Sequence, residues 1–346
     1  MGLPQLWFVI MATLFGGFFV LEGFDFGVGM LMPFFGRVAK GDPEPHRRAA
    51  LNTIGPVWDG NEVWLITAAG AMFAAFPDWY ATLFSGLYLL LLVILVSMIL
   101  RVVAIEWRGK IDDPKWRSLA DAGIAAGSWL PAILWGMAFA MLVRGLPVDG
   151  HKQVQLSLGD VFNAYTVLGG LTTVALFLFH GAVFIALKTE GTVRDDAFRF
   201  ATWLSVPVTA LIAAYGLWTH LFDNKSWTLL VVGIAVVAQL TAVMLVWRRT
   251  GEGWAFACTA GVVAALVILW FGSLYPDLVP STLNQQWSLT VGNASSAPYT
   301  LKIMTWAALI FAPLVMVYQG WTYWVFRKRI SAERIPAPAG LSRRLS

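Results

Sequence analysis

A single cysteine, Cys258, stands in the 346 residues. That excludes an intrachain disulfide and a cluster held by several cysteines. Charge is also scarce: 13% of the residues are Asp, Glu, Lys or Arg, against about 25% in soluble domains. With 58% hydrophobic residues, the chain carries more apolar surface than a soluble core can use, so the expected class is an all-α polytopic membrane protein. Histidine is limited to His46, His151, His180 and His220, and only His180 lies well inside an apolar stretch. No Walker motif, His-x-x-His pair or Ser/His/Asp set is present. No residue is therefore assigned as catalytic, cofactor-binding or metal-ligating, and His180 is expected to be a hydrogen-bonded core histidine rather than an axial haem ligand. No Lys or Arg precedes Arg37, so the N-terminus is expected to be a first membrane span and not a cleavable signal.

Nine stretches are long and apolar enough to span a bilayer, each near 20 residues or more: 5–34, 52–76, 79–105, 119–143, 161–187, 200–221, 227–247, 254–275 and 299–326. Lipid offers no partner to an open backbone edge, so all are expected to be helices. All but four of the 24 basic residues follow odd-numbered spans; the exceptions are Arg144, Lys152, Lys225 and Lys302. By the positive-inside rule the N-terminus is expected outside and the C-terminus in the cytoplasm. The net charge of +4 is thus a matter of topology, with no nucleic-acid partner implied. Residues 327–346 form a basic cytoplasmic tail, expected to be disordered near anionic lipid. Residues 276–298, without a basic residue, are expected to cap the outer face. Eight of the 18 tryptophans (Trp7, Trp79, Trp107, Trp129, Trp227, Trp247, Trp254 and Trp324) lie near span ends, as an interfacial belt requires.

Against this apolar background a few charges stand out. Glu22 and Asp25 lie in span 1, three residues apart and so on one helix face. Asp59 and Glu62 open span 2, and Arg101 sits near the inner end of span 3. A charged side chain near a helix centre costs roughly 2.5–3.5 kcal/mol. Two readings fit: a neutralised ion-pair scaffold joining helices 1 to 3 with Arg101 as counter-ion, or a proton path from the cytoplasm that starts at Asp59 and continues through Glu62. Gly55-Pro56 is expected to break or kink span 2 beside Trp58 and Asp59. Gly23, Gly27 and Gly29 form a small-residue stripe suited to close helix packing.

The segments Glu22-Gly-Phe-Asp-Phe-Gly-Val-Gly29 and Pro56-Val-Trp-Asp-Gly-Asn-Glu-Val-Trp-Leu65 closely resemble subunit II of the cytochrome bd quinol oxidases. So do the surroundings of Arg101, Arg108-Gly-Lys110 and Trp116-Arg117, and the late Pro280-Ser281-Thr282 and Met304-Thr305-Trp306. The resemblance implies two four-helix bundles (about 5–143 and 161–275) and one peripheral helix (299–326). It implies a heterodimer with a homologous subunit I that carries two b haems, haem d and the quinol site, in a bacterial plasma membrane. Quinol and oxygen would be substrates of that complex. This chain would bind no haem itself, stabilise subunit I and help conduct protons from the cytoplasm to the site of oxygen reduction. The resemblance leaves room for a structural quinone, for bound membrane lipids and for small single-helix accessory subunits. Carried over by residue, Asp59, Glu62 and Asp25 would form the proton path. Trp58, Arg101 and Glu22 would support the haem-facing seam, and Trp64 would lie near the route for oxygen. Glu62 stands where some relatives have Gln, and the loop near 223–226 is short where some carry a long insertion. The competing reading is a stand-alone proton-coupled transporter. Such proteins often place midplane carboxylates in both halves, whereas here they crowd into spans 1 and 2.

Overall fold

The computed structural model describes residues 2–36, 42–223, 225–336 and 341–342. Arg37, Lys40, Arg343 and Arg344, which enter the charge bias above, lie outside the described residues.

The chain is built almost wholly from helices: α1 (Leu3–Leu31), α2 (Glu44–Asn52), α3 (Trp58–Ala75), α4 (Pro77–Gly86), α5 (Tyr88–Trp107), α6 (Pro114–Arg144), α7 (Leu158–Val161), α8 (Ala164–Lys188), α9 (Gly191–Asp223), α10 (Ser226–Trp247), α11 (Glu252–Leu274) and α12 (Pro298–Val325). Among the described residues, eight helices are long and apolar enough to cross a membrane: α1 with its 3-10 extension to Phe34, α5, α6 and α8 to α12. The remaining expected span is α3. It has 18 residues, about 27 Å at 1.5 Å each, and its first turns hold Asp59, Asn61 and Glu62, which dilute its apolar character.

Three expected boundaries shift for local reasons. Residues 53–57, including Gly55-Pro56, form a turn, so span 2 begins at Trp58 and not at 52. Proline disfavours helical backbone in the residue before it; Phe76, before Pro77, sits at φ −138°, ψ 68° and separates α3 from α4. Leu87 then interrupts the third span between α4 and α5.

Burial ranks the helices. In the most apolar 18-residue window of α8, 83% of residues are buried, against 6% in α12. The heart of the fold is the contact of α1 with α8, flanked by α6 and α11. A Cβ on Gly27 would lie 2.0 Å from the Phe177 carbonyl oxygen, and one on Gly181 would lie 2.6 Å from Gly27 Cα. Only glycine permits that approach. Gly23 faces the Phe177 ring and Gly29 faces Ser128, so the stripe packs as expected. Beside it, Phe139 stacks on Trp270 with ring centroids 4.6 Å apart, and Phe19 meets Trp270 edge-on at 5.6 Å.

Two tryptophans assigned to the interfacial belt are core residues instead. Trp79 is 1% exposed. Trp7 is buried too, its indole donating to Thr305 Oγ1 at 3.1 Å and to the Leu301 carbonyl at 3.2 Å, which ties α1 to α12. The segment 276–298 is an ordered cap. Strands Asp277–Val279 and Leu289–Thr290 pair antiparallel. Ser296 satisfies the last carbonyls of α3, its backbone N–H bonding Ala75 O at 2.8 Å and its hydroxyl Ala74 O at 2.6 Å. Helix ends leave such carbonyls without intrahelical partners. The same need orders the first part of the tail, expected to be disordered: the Ile330 N–H bonds Lys188 O at 2.8 Å, at the end of α8.

Candidate functional site

Helices α1, α3 and α5 bring four of the singled-out charges together. Glu22 and Asp25 are fully buried in α1 and Arg101 is fully buried in α5. Glu62, from the second turn of α3, keeps 19% of its side chain exposed. Arg101 Nη2 ion-pairs with Glu22 and lies 2.9 Å from Glu62 Oε1. Its guanidinium also stands over the Phe26 ring, 4.7 Å from the centroid. Gly127 of α6 makes room for it, since a Cβ there would lie 2.5 Å from Arg101 Cβ. Arg101 is therefore the counter-ion that the sequence suggested, but its partners are Glu22 and Glu62 and not Asp59.

Asp59 lies apart from the cluster. It is exposed in the first turn of α3, its Oδ1 accepting from the Gly60 N–H at 2.7 Å. A carboxylate suits a helix N-terminus, where the macrodipole is positive. Trp58, half-buried, is the first residue of the same helix. Along α3 and across to α1 the carboxyl groups run from exposed (Asp59) through part-buried (Glu62) to fully buried (Glu22 and Asp25).

Sequence reasoning missed three polar members. Asn61, fully buried, donates from Nδ2 to Asp25 Oδ2 at 2.7 Å. Its Oδ1 accepts from Tyr323 Oη at 2.7 Å and from Gln319 Nε2 at 3.3 Å. Trp64 Nε1 donates to Gln319 Oε1 at 2.7 Å, so Trp64 also belongs to this network. The available signal was the i, i+4 spacing of Gln319 and Tyr323 on an otherwise apolar helix, together with Asn61 between the two acids of α3.

Three carboxyl groups, Glu22, Asp25 and Glu62, thus face one guanidinium. Such an excess cannot be fully ionised in a low-dielectric interior without large cost, so the arrangement is suited to hold and exchange protons. Among the described residues, no group of three or more His, Cys, Asp or Glu is placed to hold a metal ion. His180 is the core histidine expected. It is fully buried, with Nδ1 2.7 Å from Thr259 Oγ1 and Nε2 3.1 Å from the Val20 carbonyl. The ring stacks on Phe256 at 4.7 Å.

Comparison with known proteins gives one consistent result. The family model described as "Cytochrome bd terminal oxidase subunit II" matches residues 3–326. The chain is 41% identical over 335 residues to cytochrome bd ubiquinol oxidase subunit 2 of Bacillus subtilis (strain 168), covering 95% of this chain and 97% of that one. It is 30% identical over 368 residues to cytochrome bd-I ubiquinol oxidase subunit 2 of Escherichia coli (strain K12), covering 95% and 96%. The solved structure of bd oxidase from Geobacillus thermodenitrificans shares the fold, with a TM-score of 0.76 at 17% identity, covering 95% of this chain and 100% of the other.

Proposed function

The chain belongs to the subunit II family of cytochrome bd terminal oxidases, and from that premise we propose that it is the haem-free, proton-conducting half of a quinol oxidase heterodimer. It is a multi-pass membrane protein and part of a respiratory quinol oxidase complex. Its partner is a haem-bearing subunit I, and the complex oxidises quinol and reduces oxygen to water. The chain lies with its N-terminus outside and its C-terminus in the cytoplasm, as the placement of its basic residues supports. It has nine spans: α1, α3, α5 (with α4) and α6 form one bundle, α8 to α11 the second, and α12 lies at the periphery.

The haems belong to the partner. What supports this reading is that His180, the histidine buried deepest in a span, has both ring nitrogens engaged, while His220 Nδ1 lies 2.7 Å from Thr228 Oγ1 and His46 Nε2 lies 2.9 Å from Thr192 Oγ1. What this chain supplies is the proton path. Asp59, exposed at the start of α3, takes protons up from the cytoplasmic side. Glu62, one turn further on, passes them to the buried pair Glu22 and Asp25, while Arg101 holds the carboxyl groups in register. Trp58 and Arg101 shape the seam towards subunit I. The observation that carries this reading is the graded burial from Asp59 through Glu62 to Glu22 and Asp25, around a single guanidinium.

The test is Asp59→Asn in the assembled complex. Quinol-driven oxygen consumption is expected to fall while the haem spectrum is unchanged. Unchanged turnover would make Asp59 a structural residue. A purified chain that stays colourless and alone, yet transports a solute in liposomes, would overturn the oxidase reading in favour of a proton-coupled transporter.

A further inference from the structure

Helix α12 buries only Leu301 among its residues, yet it sends two polar side chains into the cluster. The four hydrogen bonds of this network have a direction. Trp64 donates to Gln319, Gln319 and Tyr323 donate to Asn61, and Asn61 donates to Asp25. An indole nitrogen can only donate. Gln319 must therefore turn its oxygen to Trp64 and its NH2 to Asn61. Asn61 must in turn present its oxygen to α12 and its NH2 to Asp25. Tyr323 sets no direction, because a hydroxyl donates or accepts as needed. The polarity of the chain is fixed at Trp64.

The consequence falls on the two oxygens of Asp25. Oδ2 always faces a donor. Among the described residues, Oδ1 has no hydrogen-bond partner, and neither has Glu22 Oε2. Glu22 and Asp25 stand three residues apart on α1, both fully buried, and Arg101 pairs with Glu22 and Glu62 beside them. We propose that Trp64 and Gln319 form a polarity lock, acting through Asn61, that confines the exchangeable proton of Asp25 to Oδ1 and keeps Oδ2 as a permanent acceptor. Trp64, Gln319 and Asn61 are then positioning residues for the proton path, and this inference rests on the proton-conducting reading above.

The test uses the assembled complex and infrared difference spectra of its buried carboxyl groups, with the Asp25 C=O band assigned by its loss in Asp25→Asn. In Trp64→Phe and in Gln319→Leu, Asn61 is free to turn and offer its oxygen to a proton on Oδ2. The single Asp25 band is expected to split or move, and turnover to fall about three- to tenfold, the scale of one lost hydrogen bond. Tyr323→Phe is expected to keep the band single. Trp64→Phe retains an aromatic ring at the site and decides the matter where Gln319→Leu fails to assemble. An Asp25 band unmoved in Trp64→Phe overturns the lock while leaving the proton path standing. No Asp25 band at any pH overturns the lock together with the role of Asp25 in the path. Unchanged turnover in Asp59→Asn, with a band that still responds to Trp64→Phe, would instead remove the proposed uptake point and keep the lock.

Discussion

Arg101 Nη2 lies 2.9 Å from Glu62 Oε1 and pairs through the same nitrogen with Glu22. One cation, its own side chain fully buried, thus joins α1, α3 and α5. Removing one partner of a buried ion pair costs about 3–5 kcal/mol, because the other charge is left uncompensated. Arg101→Gln is therefore expected to lower the yield and melting temperature of the complex, with Arg101→Lys in between because it keeps the charge and loses the planar fork. A melting curve for Arg101→Gln that overlays the wild type would show that the carboxyl groups are neutral in the folded state and need no counter-ion.

The α1–α8 contact gives a second prediction. A Cβ at Gly27 would lie 2.0 Å from a backbone oxygen, and backbone cannot rotate away as a side chain can. Gly27→Ala is expected to cost about 1–3 kcal/mol, the range for overpacking, and to lower the melting temperature. Gly261, with nothing within 4 Å of an added Cβ, is the matched control and is expected to accept Ala without loss. Equal melting of the two variants would mean that α1 and α8 do not meet as described.

These two sites show which parts of the molecule were legible in the sequence. The membrane class, the helical spans and the glycine stripe were, because apolar runs and small residues act locally along one helix. Arg101 was legible as a counter-ion because a lone buried cation beside buried acids has few alternatives. Its partners were not: the sequence offered four carboxyl groups to one guanidinium, and only the turn at residues 53–57, which starts α3 at Trp58, leaves Asp59 exposed and brings Glu62 inward. Trp7 and Trp79 were misread for a related reason. A tryptophan near a span end can face lipid headgroups or a neighbouring helix, and the sequence does not distinguish the two. The contribution of α12 was hidden entirely, since Gln319 and Tyr323 lie more than 250 residues from Asn61.

A third prediction concerns α2, which leads through the turn at 53–57 into Asp59. Arg108, buried just past α5, holds Glu44 with two bonds of 2.8 and 2.9 Å and reaches Asp121 Oδ1 at 2.5 Å. Burial works against its charge, but the hydrogen bonds it donates to Glu44 and Asp121 outweigh that and raise its pKa. Arg108→Ala is expected to cost about 3 kcal/mol locally and to release α2. Hydrogen exchange should then speed up across residues 44–57 with little change in α8. Exchange that rises equally in α8 would assign Arg108 to global stability and not to the placing of α2.

The order of the proton path is decided at Glu62. Gln at this position still offers an oxygen to Arg101, so the pair geometry is largely kept, but it cannot carry a proton. If protons pass from Asp59 to the buried pair through Glu62, Glu62→Gln should assemble with normal haem content and lose about tenfold in turnover, some 1.4 kcal/mol on the barrier. Its solvent isotope effect should rise, because proton transfer then limits the rate. Glu62→Asp should recover part of the rate, since a carboxyl returns at a longer reach. The opposite pattern would be normal turnover with a lower melting temperature, and it would make Glu62 a counter-charge for Arg101. Protons from Asp59 would then have to reach Glu22 and Asp25 without it, across the fully buried guanidinium, a step the positive charge of Arg101 opposes.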